Sequence, residues 1–277
     1  MTFELKENGL GILTLNRTDR LNAISFKMTE ELHELFDHLM VNLDCRVVIM
    51  KGAGDRAFSA GLDLKESSIL AMKKKPEAFK QFYYLDVPEV VKSQMYFQWR
   101  ISQIIVKMRK ISQPIIALIQ GAASGGGFAF CMASDVRIAS KNARFNNAFI
   151  KIGVSGADLA SSYFLPRLIG LSRAAEILYT GRFFGAEEAE KIGFVLKVVD
   201  DDKLLDAGIE LAKEMLNKSP LGLRMTKEAI NLSLDAPSLE TMIQLENRTQ
   251  VLCTTSKDAI EGVTSFFEKK EPKYPNR

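Results

Sequence analysis

Hydrophobic residues in the first two-thirds of the chain form short unbroken runs that alternate with helical patterns. The runs predict strands at 11–15, 46–51, 114–120 and 136–139. Two of them are apolar at every central position, which is typical of strands covered on both faces of a mostly parallel sheet. Apolar positions three and four residues apart predict helices at 25–42, 90–110, 126–133 and 172–179. The alternation predicts an α/β fold.

The character of the chain changes after residue 200. Four amphipathic helices are predicted there, at 204–216, 221–234, 239–253 and 257–267, with breaks at Pro220 and Pro237. About 75 residues are too few for a secure core of their own. We therefore predict a main domain over 1–200 and a helical region over 201–277, which packs on that domain or on a neighbouring subunit.

Composition and charge narrow the class of protein. With 277 residues, 47% of them hydrophobic, the chain can bury a large core. The net charge is only +3 and the basic residues are scattered, which argues against nucleic acid as a partner. The run of lysines at 73–75 is the exception, and such runs are usually solvated loops.

Cysteine usage and hydropathy predict a cytoplasmic protein. The three cysteines are far apart and odd in number, so they indicate a reducing compartment rather than a disulfide framework or a metal site. The N-terminal residues are polar and mixed in charge, unlike a signal peptide. No apolar run approaches the roughly 20 residues that a membrane span requires, so no membrane association is expected.

The two histidines exclude several kinds of chemistry. His33 and His38 lie five residues apart on the predicted helix 25–42, where we expect both at the surface. They have no metal-ligand spacing, and a catalytic triad or a catalytic zinc is therefore not expected. Any acid or base must be a carboxylate, Tyr, Lys or water.

Two glycine-containing segments follow predicted strands. In 57–65, the small residues Ser59 and Ala60 precede Gly61, which lets a ligand approach the backbone closely. In 120–127, three glycines open a helix and leave unpaired N–H groups at its positive end, where a negative oxygen can be stabilised. Each segment alone is more often a turn. Neither has the spacing of a dinucleotide fingerprint or a P-loop.

The order of the motifs resembles the crotonase superfamily, the enoyl-CoA hydratase/isomerase family, over nearly the whole chain. The matching segments are Asn16-Arg17, Leu21-Asn22-Ala23, 57–65, 114–135, 165–170, Thr180-Gly181-Arg182 and 186–199. This resemblance implies a spiral of repeated ββα turns. It also implies C-terminal helices that form trimers, usually paired into hexamers.

The resemblance assigns both glycine segments a role. The N–H groups of Ala60 and Gly126 are expected to hold the thioester carbonyl oxygen of an acyl-CoA and to stabilise its enolate. No separate cofactor is implied, because coenzyme A enters as part of the substrate. The positions expected along the substrate are Arg20, Asn22, Ala23, Gly61, Leu62, Asp63, Lys65 and Gly125. Lys269 and Lys270 match a basic stretch that often reaches a neighbouring subunit's ligand, although plain solvation explains them equally well.

The chain departs from the family at the catalytic carboxylates. The two glutamates of hydratases fall on Ala129 and Phe149, which cannot move a proton. Counting back from Leu165-Pro166 places Asp158 where dienoyl-CoA isomerases carry an aspartate, whereas counting forward from Phe149 misses it by one residue. Asp158 is therefore either a general acid or base or the N-cap of the next helix.

Other carboxylates and other reactions remain open. An acid from the stretch 67–95, which also contains Tyr83, Tyr84, Asp86 and Glu89, could act with Asp158, while Asp135 has the place of a structural residue. We expect hydration or double-bond isomerisation of an enoyl-CoA through an enolate. The alternatives are a CoA-thioester-binding protein with little catalysis, and a thioesterase or decarboxylase on the same fold.

Overall fold

A computed structural model describes residues 1–65 and 77–274. Of residues 77–79 it describes the backbone only. The lysines at 73–75 and part of the stretch 67–95 lie outside the described residues. The strands are β1 Thr2–Leu5, β2 Leu10–Leu15, β3 Val47–Gly52, β4 Ala57–Ser59, β5 Ile115–Ile119, β6 Ala122–Ser124, β7 Val136–Ser140, β8 Arg144–Asn146, β9 Phe184–Gly185 and β10 Lys197–Val199. The helices are α1 Phe26–Val41, α2 Glu89–Lys110, α3 Gly126–Ala133, α4 Ser161–Ile169, α5 Leu171–Thr180, α6 Ala186–Lys191, α7 Leu204–Leu216, α8 Pro220–Ser233, α9 Leu239–Thr254 and α10 Lys257–Glu268.

The strands form two sheets, and from β3 to β8 consecutive strands alternate between them. The larger sheet has the order β1-β2-β3-β5-β7-β10 and is parallel except for β1, and the smaller has the order β4-β6-β8-β9. Each of β3, β5 and β7 is followed by a short strand of the smaller sheet and then by a helix. This repeated ββα turn confirms the α/β prediction and the spiral that the resemblance implies.

Both faces of the larger sheet are buried, as the unbroken apolar runs predict. Val48 and Met50 of β3 face the main core, whereas Val47 and Ile49 face α7. Gly208 of α7 meets the sheet so closely that a Cβ there would lie 2.6 Å from a methyl carbon of Leu118. Helix α7 begins just beyond the predicted boundary at residue 200, yet its packing makes it part of the core of the main domain.

Helix α8 is anchored by a buried ion pair. Lys227 is 4% exposed, and its Nζ lies 3.0 Å from Asp135 Oδ2 and donates to the carbonyl oxygen of Gln113 at 2.7 Å. Burial lowers the pKa of Lys227, and the neighbouring Asp135 opposes that shift. Asp135 also pairs with Arg109 at 2.7 Å. The structural role predicted for Asp135 is therefore confirmed.

The histidine prediction is half wrong. His38 is exposed, but His33 is only 2% exposed because α1 packs against α2 on that side. The His33 Nε2–H donates to the carbonyl oxygen of Arg100 at 2.9 Å, and burial lowers the pKa of the ring.

Over the described part of the chain, no helix is long and apolar enough to span a membrane. The same residues contain no cluster of three or more potential metal ligands.

Candidate active site

The loop before α1 is held by a buried asparagine. Asn22 is 1% exposed, and its Nδ2 donates to the carbonyl oxygens of Ala53 at 2.9 Å and Ala57 at 2.8 Å. Its Oδ1 accepts from the backbone N–H of Arg17 at 3.0 Å. The prediction that Asn22 contacts the substrate is therefore wrong, because its side chain is enclosed and its polar atoms are engaged. It joins the loop to the approach to β4 instead.

The segment after β4 pairs with Ile24 through its backbone. The Ile24 N–H donates to the carbonyl oxygen of Gly61 at 2.8 Å, and the Asp63 N–H donates to that of Ile24 at 3.0 Å. Since Ile24 bonds to the residues on both sides of Leu62, the Leu62 N–H points away from Ile24. It has no hydrogen-bond acceptor among the residues that the structure describes.

Ala60 does not supply the donor that the sequence predicts. Its N–H already donates to the carbonyl oxygen of Leu21 at 2.9 Å, so this assignment is wrong. Gly61 has a φ of 90°, which turns the chain between Ala60 and Leu62. The two residues consequently present their N–H groups to different neighbours, and the unengaged donor belongs to Leu62.

The glycine triplet supplies a second unengaged N–H. Gly125 has a φ of 48°, and its N–H donates to the carbonyl oxygen of Asn146 at 3.1 Å. Gly126 is the first residue of α3, so its N–H has no partner within the helix, nor elsewhere in the described chain. This N–H lies at the positive end of a helix in which every residue is buried.

The two segments lie backbone against backbone. A Cβ on Gly61 would lie 2.7 Å from the Ser124 carbonyl oxygen and 3.1 Å from Gly126 N. A Cβ on Gly126 would lie 3.6 Å from Leu62 N and 3.2 Å from Ile24 Cδ1. Glycine is thus required at position 61 for this close approach, and the N–H groups of Leu62 and Gly126 lie next to each other. We call this pair of donors the two-amide site.

Two of the other predicted binding positions are enclosed. Asp63 is buried, with its Oδ2 3.1 Å from Arg17 Nη2 and its Oδ1 accepting from the Lys65 N–H at 3.1 Å. Ala23 is buried, and its carbonyl oxygen accepts from Arg17 Nη1 at 3.0 Å. Both therefore fix the loops of the two-amide site, and their contact with the substrate stays a prediction.

The basic candidates are accessible. The side chain of Arg20 is about half exposed and lies 3.8 Å from Asp19, and Lys65 is exposed. Lys269 and Lys270 follow the end of α10 and are exposed, and Lys270 pairs with Glu268 at 2.5 Å. Each of these side chains can reach a charged ligand from the surface.

The wall beside the two-amide site is apolar. Phe149 is 6% exposed, and its ring lies 3.5 Å from the place that a Cβ on Gly125 would take. Ala129 is fully buried in α3 and belongs to the same apolar cluster as Phe149 and Ile24. Phe149 therefore borders this site with an apolar ring, and Ala129 lies in the core on the helix that Gly126 begins.

Asp158 lies in a tight turn before α4. Its Oδ1 accepts from Gln98 Nε2 and from the N–H of Leu159, the latter at 2.7 Å. Leu159 and Ala160 have φ values of 46° and 62°, an uncommon conformation for residues other than glycine. The N-cap of α4 is Ala160, without a side-chain hydrogen bond, so the interpretation of Asp158 as a helix cap is wrong.

The turn at Asp158 and the two-amide site border the same main core of the molecule. Gln98 follows Phe97, whose ring packs edge-on against Phe26 at 5.1 Å. Phe26 lies two residues after Ile24, which borders Gly126. Leu159, on the other side of the turn, belongs to the same apolar cluster as Phe149 and Ala129. Sequence reasoning missed Gln98, because nothing local indicates a partner 60 residues away.

The described part of the stretch 67–95 offers no buried carboxylate. Asp86 and Glu89 are exposed, as are Tyr83 and Tyr84. The neighbouring Tyr96 is buried, and burial raises the pKa of its hydroxyl.

The comparisons with known proteins agree with this geometry. A family profile described as enoyl-CoA hydratase/isomerase matches residues 5–277. A probable enoyl-CoA hydratase of Mycobacterium tuberculosis is 36% identical over 94% of this chain and 87% of its own length. The 1,2-epoxyphenylacetyl-CoA isomerase of Escherichia coli is 30% identical over 98% of this chain and 97% of its own.

The solved structures extend the agreement to three dimensions. The crystal structure of an enoyl-CoA hydratase from Bacillus anthracis superposes with a TM-score of 0.88 at 30% identity, covering 100% of this chain and 99% of the other. The ββα spiral, the two glycine segments and these matches define one class of protein. The chain belongs to the enoyl-CoA hydratase/isomerase family, within the crotonase superfamily.

Proposed function

We propose that the protein is a CoA-thioester isomerase that forms an enolate at the two-amide site and moves a proton with Asp158. The observation that carries the proposal is the pair of unengaged N–H groups on Leu62 and Gly126, beside an apolar wall. Donors that are already in place when charge develops on a carbonyl oxygen stabilise the transition state by about 3–4 kcal/mol each. An apolar wall lowers the local dielectric constant and strengthens that effect.

In the proposed mechanism, the thioester carbonyl oxygen accepts hydrogen bonds from both amides. Asp158 takes a proton from the carbon next to the thioester, and the electron pair of the broken C–H bond forms the enolate. In a 3-enoyl thioester, this enolate is conjugated with the double bond, and the same proton then returns to C4, the far carbon of that double bond. The double bond moves, and the Asp158 carboxylate is regenerated. Atoms and charge balance with a single carboxylate.

Isomerisation fits this wall better than hydration does. Addition of water by the family's two-glutamate mechanism requires a carboxylate at both positions that Ala129 and Phe149 occupy. The relatives of this chain include an isomerase of a CoA thioester, at 30% identity. The two apolar positions also favour a second candidate, a CoA-thioester-binding protein with little catalysis.

We further propose that the protein forms trimers or hexamers. Helix α9 has no buried residue, and α10 carries Phe266 and Phe267 with 79% and 77% of their surface exposed. Large apolar surfaces of this kind are usually covered by another subunit. In such an assembly, Lys269 and Lys270 lie at the end of an interface helix, where they can contact the phosphates of a neighbour's CoA.

The test is a screen of saturated, enoyl and dienoyl CoA thioesters in D₂O, followed by liquid chromatography and mass spectrometry. Isomerisation yields a product with a new retention time and no added oxygen. Hydration adds the mass of heavy water, hydrolysis releases free CoA, and decarboxylation loses carbon dioxide. A new isomer supports the proposal. Tight binding of thioesters with none of these products would identify a binding protein instead.

A further inference from the structure

We propose that Gln98 is a positioning residue that fixes the Asp158 carboxylate, so that Oδ1 is held by the protein and Oδ2 faces the substrate. The inference rests on the proposed function, because it assumes that Asp158 moves the proton. It adds a residue on α2 to a site whose other parts lie on the segment after β4, at the start of α3 and on the turn before α4.

The two carboxylate oxygens of Asp158 have different surroundings. Oδ1 accepts two hydrogen bonds, from Gln98 Nε2 and from the Leu159 N–H. Oδ2 forms no hydrogen bond or ion pair with the described residues. Two donors on one oxygen restrict rotation of the carboxylate. The other oxygen therefore keeps a lone pair available for a proton.

The backbone on the Asp158 side is held independently of Gln98. The Asp158 N–H donates to Ser161 Oγ at 3.1 Å, and the buried Ser161 hydroxyl donates to the Gly156 carbonyl oxygen at 2.9 Å. The left-handed φ of Leu159 turns its N–H toward the carboxylate that precedes it. Such strained turns persist where the surrounding contacts determine them, which is common at functional sites.

The helix on the Gln98 side is also held independently. Phe97 packs on Phe26 at 5.1 Å, and Trp99 packs against Phe82 and Tyr96 at 6.2 and 6.1 Å. Aromatic residues on both sides of Gln98 thus fix the backbone from which its amide extends. The amide hydrogen bond then connects two prebuilt elements, and its loss need not unfold either of them.

A neutral amide suits this role. It stabilises the charged form of the carboxylate by donating to it, without the full counter-charge of Lys or Arg that would make the carboxylate a weak base. Without Gln98, the carboxylate keeps one donor, gains rotational freedom and is less stable in its charged form. Turnover should then fall.

The experiment compares Gln98→Met, which keeps the length of the side chain but has no donor, with Gln98→Glu. The matched control is Gln94→Met, an exposed glutamine one turn earlier on α2. We expect Gln98→Met to lose up to about 10²-fold in kcat, as for small misplacements of a reacting group. KM should change far less.

Further outcomes separate the inference from the proposed function. Gln98→Glu should lose more turnover at neutral pH than Gln98→Met, because a second carboxylate repels the first. In an Asp158→Asn background, Gln98→Met should cause no additional loss, since both act through one group. A wild-type kcat in Gln98→Met, a loss that lies in KM instead of kcat, or a further loss in the double variant would overturn the positioning role alone. Full activity of Asp158→Asn would overturn the proposed base itself.

Discussion

A single methyl group added at Gly126 should lower turnover without disturbing the fold. Its φ lies outside the left-handed region, so Gly126→Ala introduces no backbone strain. The new Cβ would lie 3.2 Å from Ile24 Cδ1, the flexible end of a side chain that can move by a few tenths of an ångström. Alanine is also the better helix former, by up to about 1 kcal/mol in a helix interior. We expect a thermal midpoint within a few degrees of wild type.

The same methyl should obstruct the two-amide site. It would lie 3.6 Å from Leu62 N, beside the space that an oxygen hydrogen-bonded to that N–H at about 2.9 Å must occupy. Loss of one such donor costs about 3–4 kcal/mol of transition-state stabilisation. Turnover should therefore fall by about 10²–10³-fold. Gly126→Val should abolish turnover for the same reason. Gly126→Pro should also abolish it by removing the donor, and proline is tolerated at a first helical position.

The assay is steady-state turnover of the best thioester from the screen, with circular dichroism as the test of folding. Gly185→Ala is the matched control, because a Cβ at Gly185 meets nothing within 4 Å and its φ is −88°. It should keep wild-type turnover. If Gly126→Ala and Gly126→Pro are folded and turn over within a few-fold of wild type, the reasoning about the two-amide site is refuted.

Three further predictions concern other parts of the molecule. Asp158→Asn should reduce the rate by about 10²–10⁴-fold, the usual contribution of a positioned acid or base, and full activity in steady-state kinetics would exclude Asp158. The folded pKa of His33 lies below its ordinary 6.5, so the unfolded chain binds the proton more readily. The contribution of neutral His33 to the free energy of unfolding is therefore complete above pH 6.5 and is lost as the pH falls through the folded pKa. In urea unfolding, the free energy of unfolding of His33→Gln should fall less on acidification than that of the wild type. Analytical ultracentrifugation at micromolar concentration should give a trimer or hexamer, and Phe266→Asp should weaken it, whereas a wild-type monomer would contradict the proposed assembly.

Much of the fold could be predicted because its signals are periodic. Helix α3 and helix α7 have the bounds that the sequence pattern gives, and β3 and β5 are covered on both faces as their apolar runs predict. The three-residue strands of the smaller sheet could not be predicted. Three residues are too short for an alternation of apolar and polar positions to be recognised.

The candidate site could be located by its glycines but not resolved to atoms. The pattern indicated the segments around Gly61 and Gly126, yet the choice between Ala60 and Leu62 depends on one positive φ. Gln98 pairs with Asp158 across 60 residues, and the burial of His33 depends on how α1 meets α2. These features arise from tertiary contacts, which a local pattern does not contain.

Exchange of the proton next to the thioester tests the central claim most directly. Saturated acyl-CoA thioesters of several chain lengths can form an enolate but cannot isomerise, so NMR in D₂O follows enolate formation alone. We predict deuterium incorporation that depends on the wild-type protein and is lost in both Gly126→Pro and Asp158→Asn. If the protein binds these thioesters but leaves that proton unexchanged or protects it, the protein does not form an enolate and the account is contradicted.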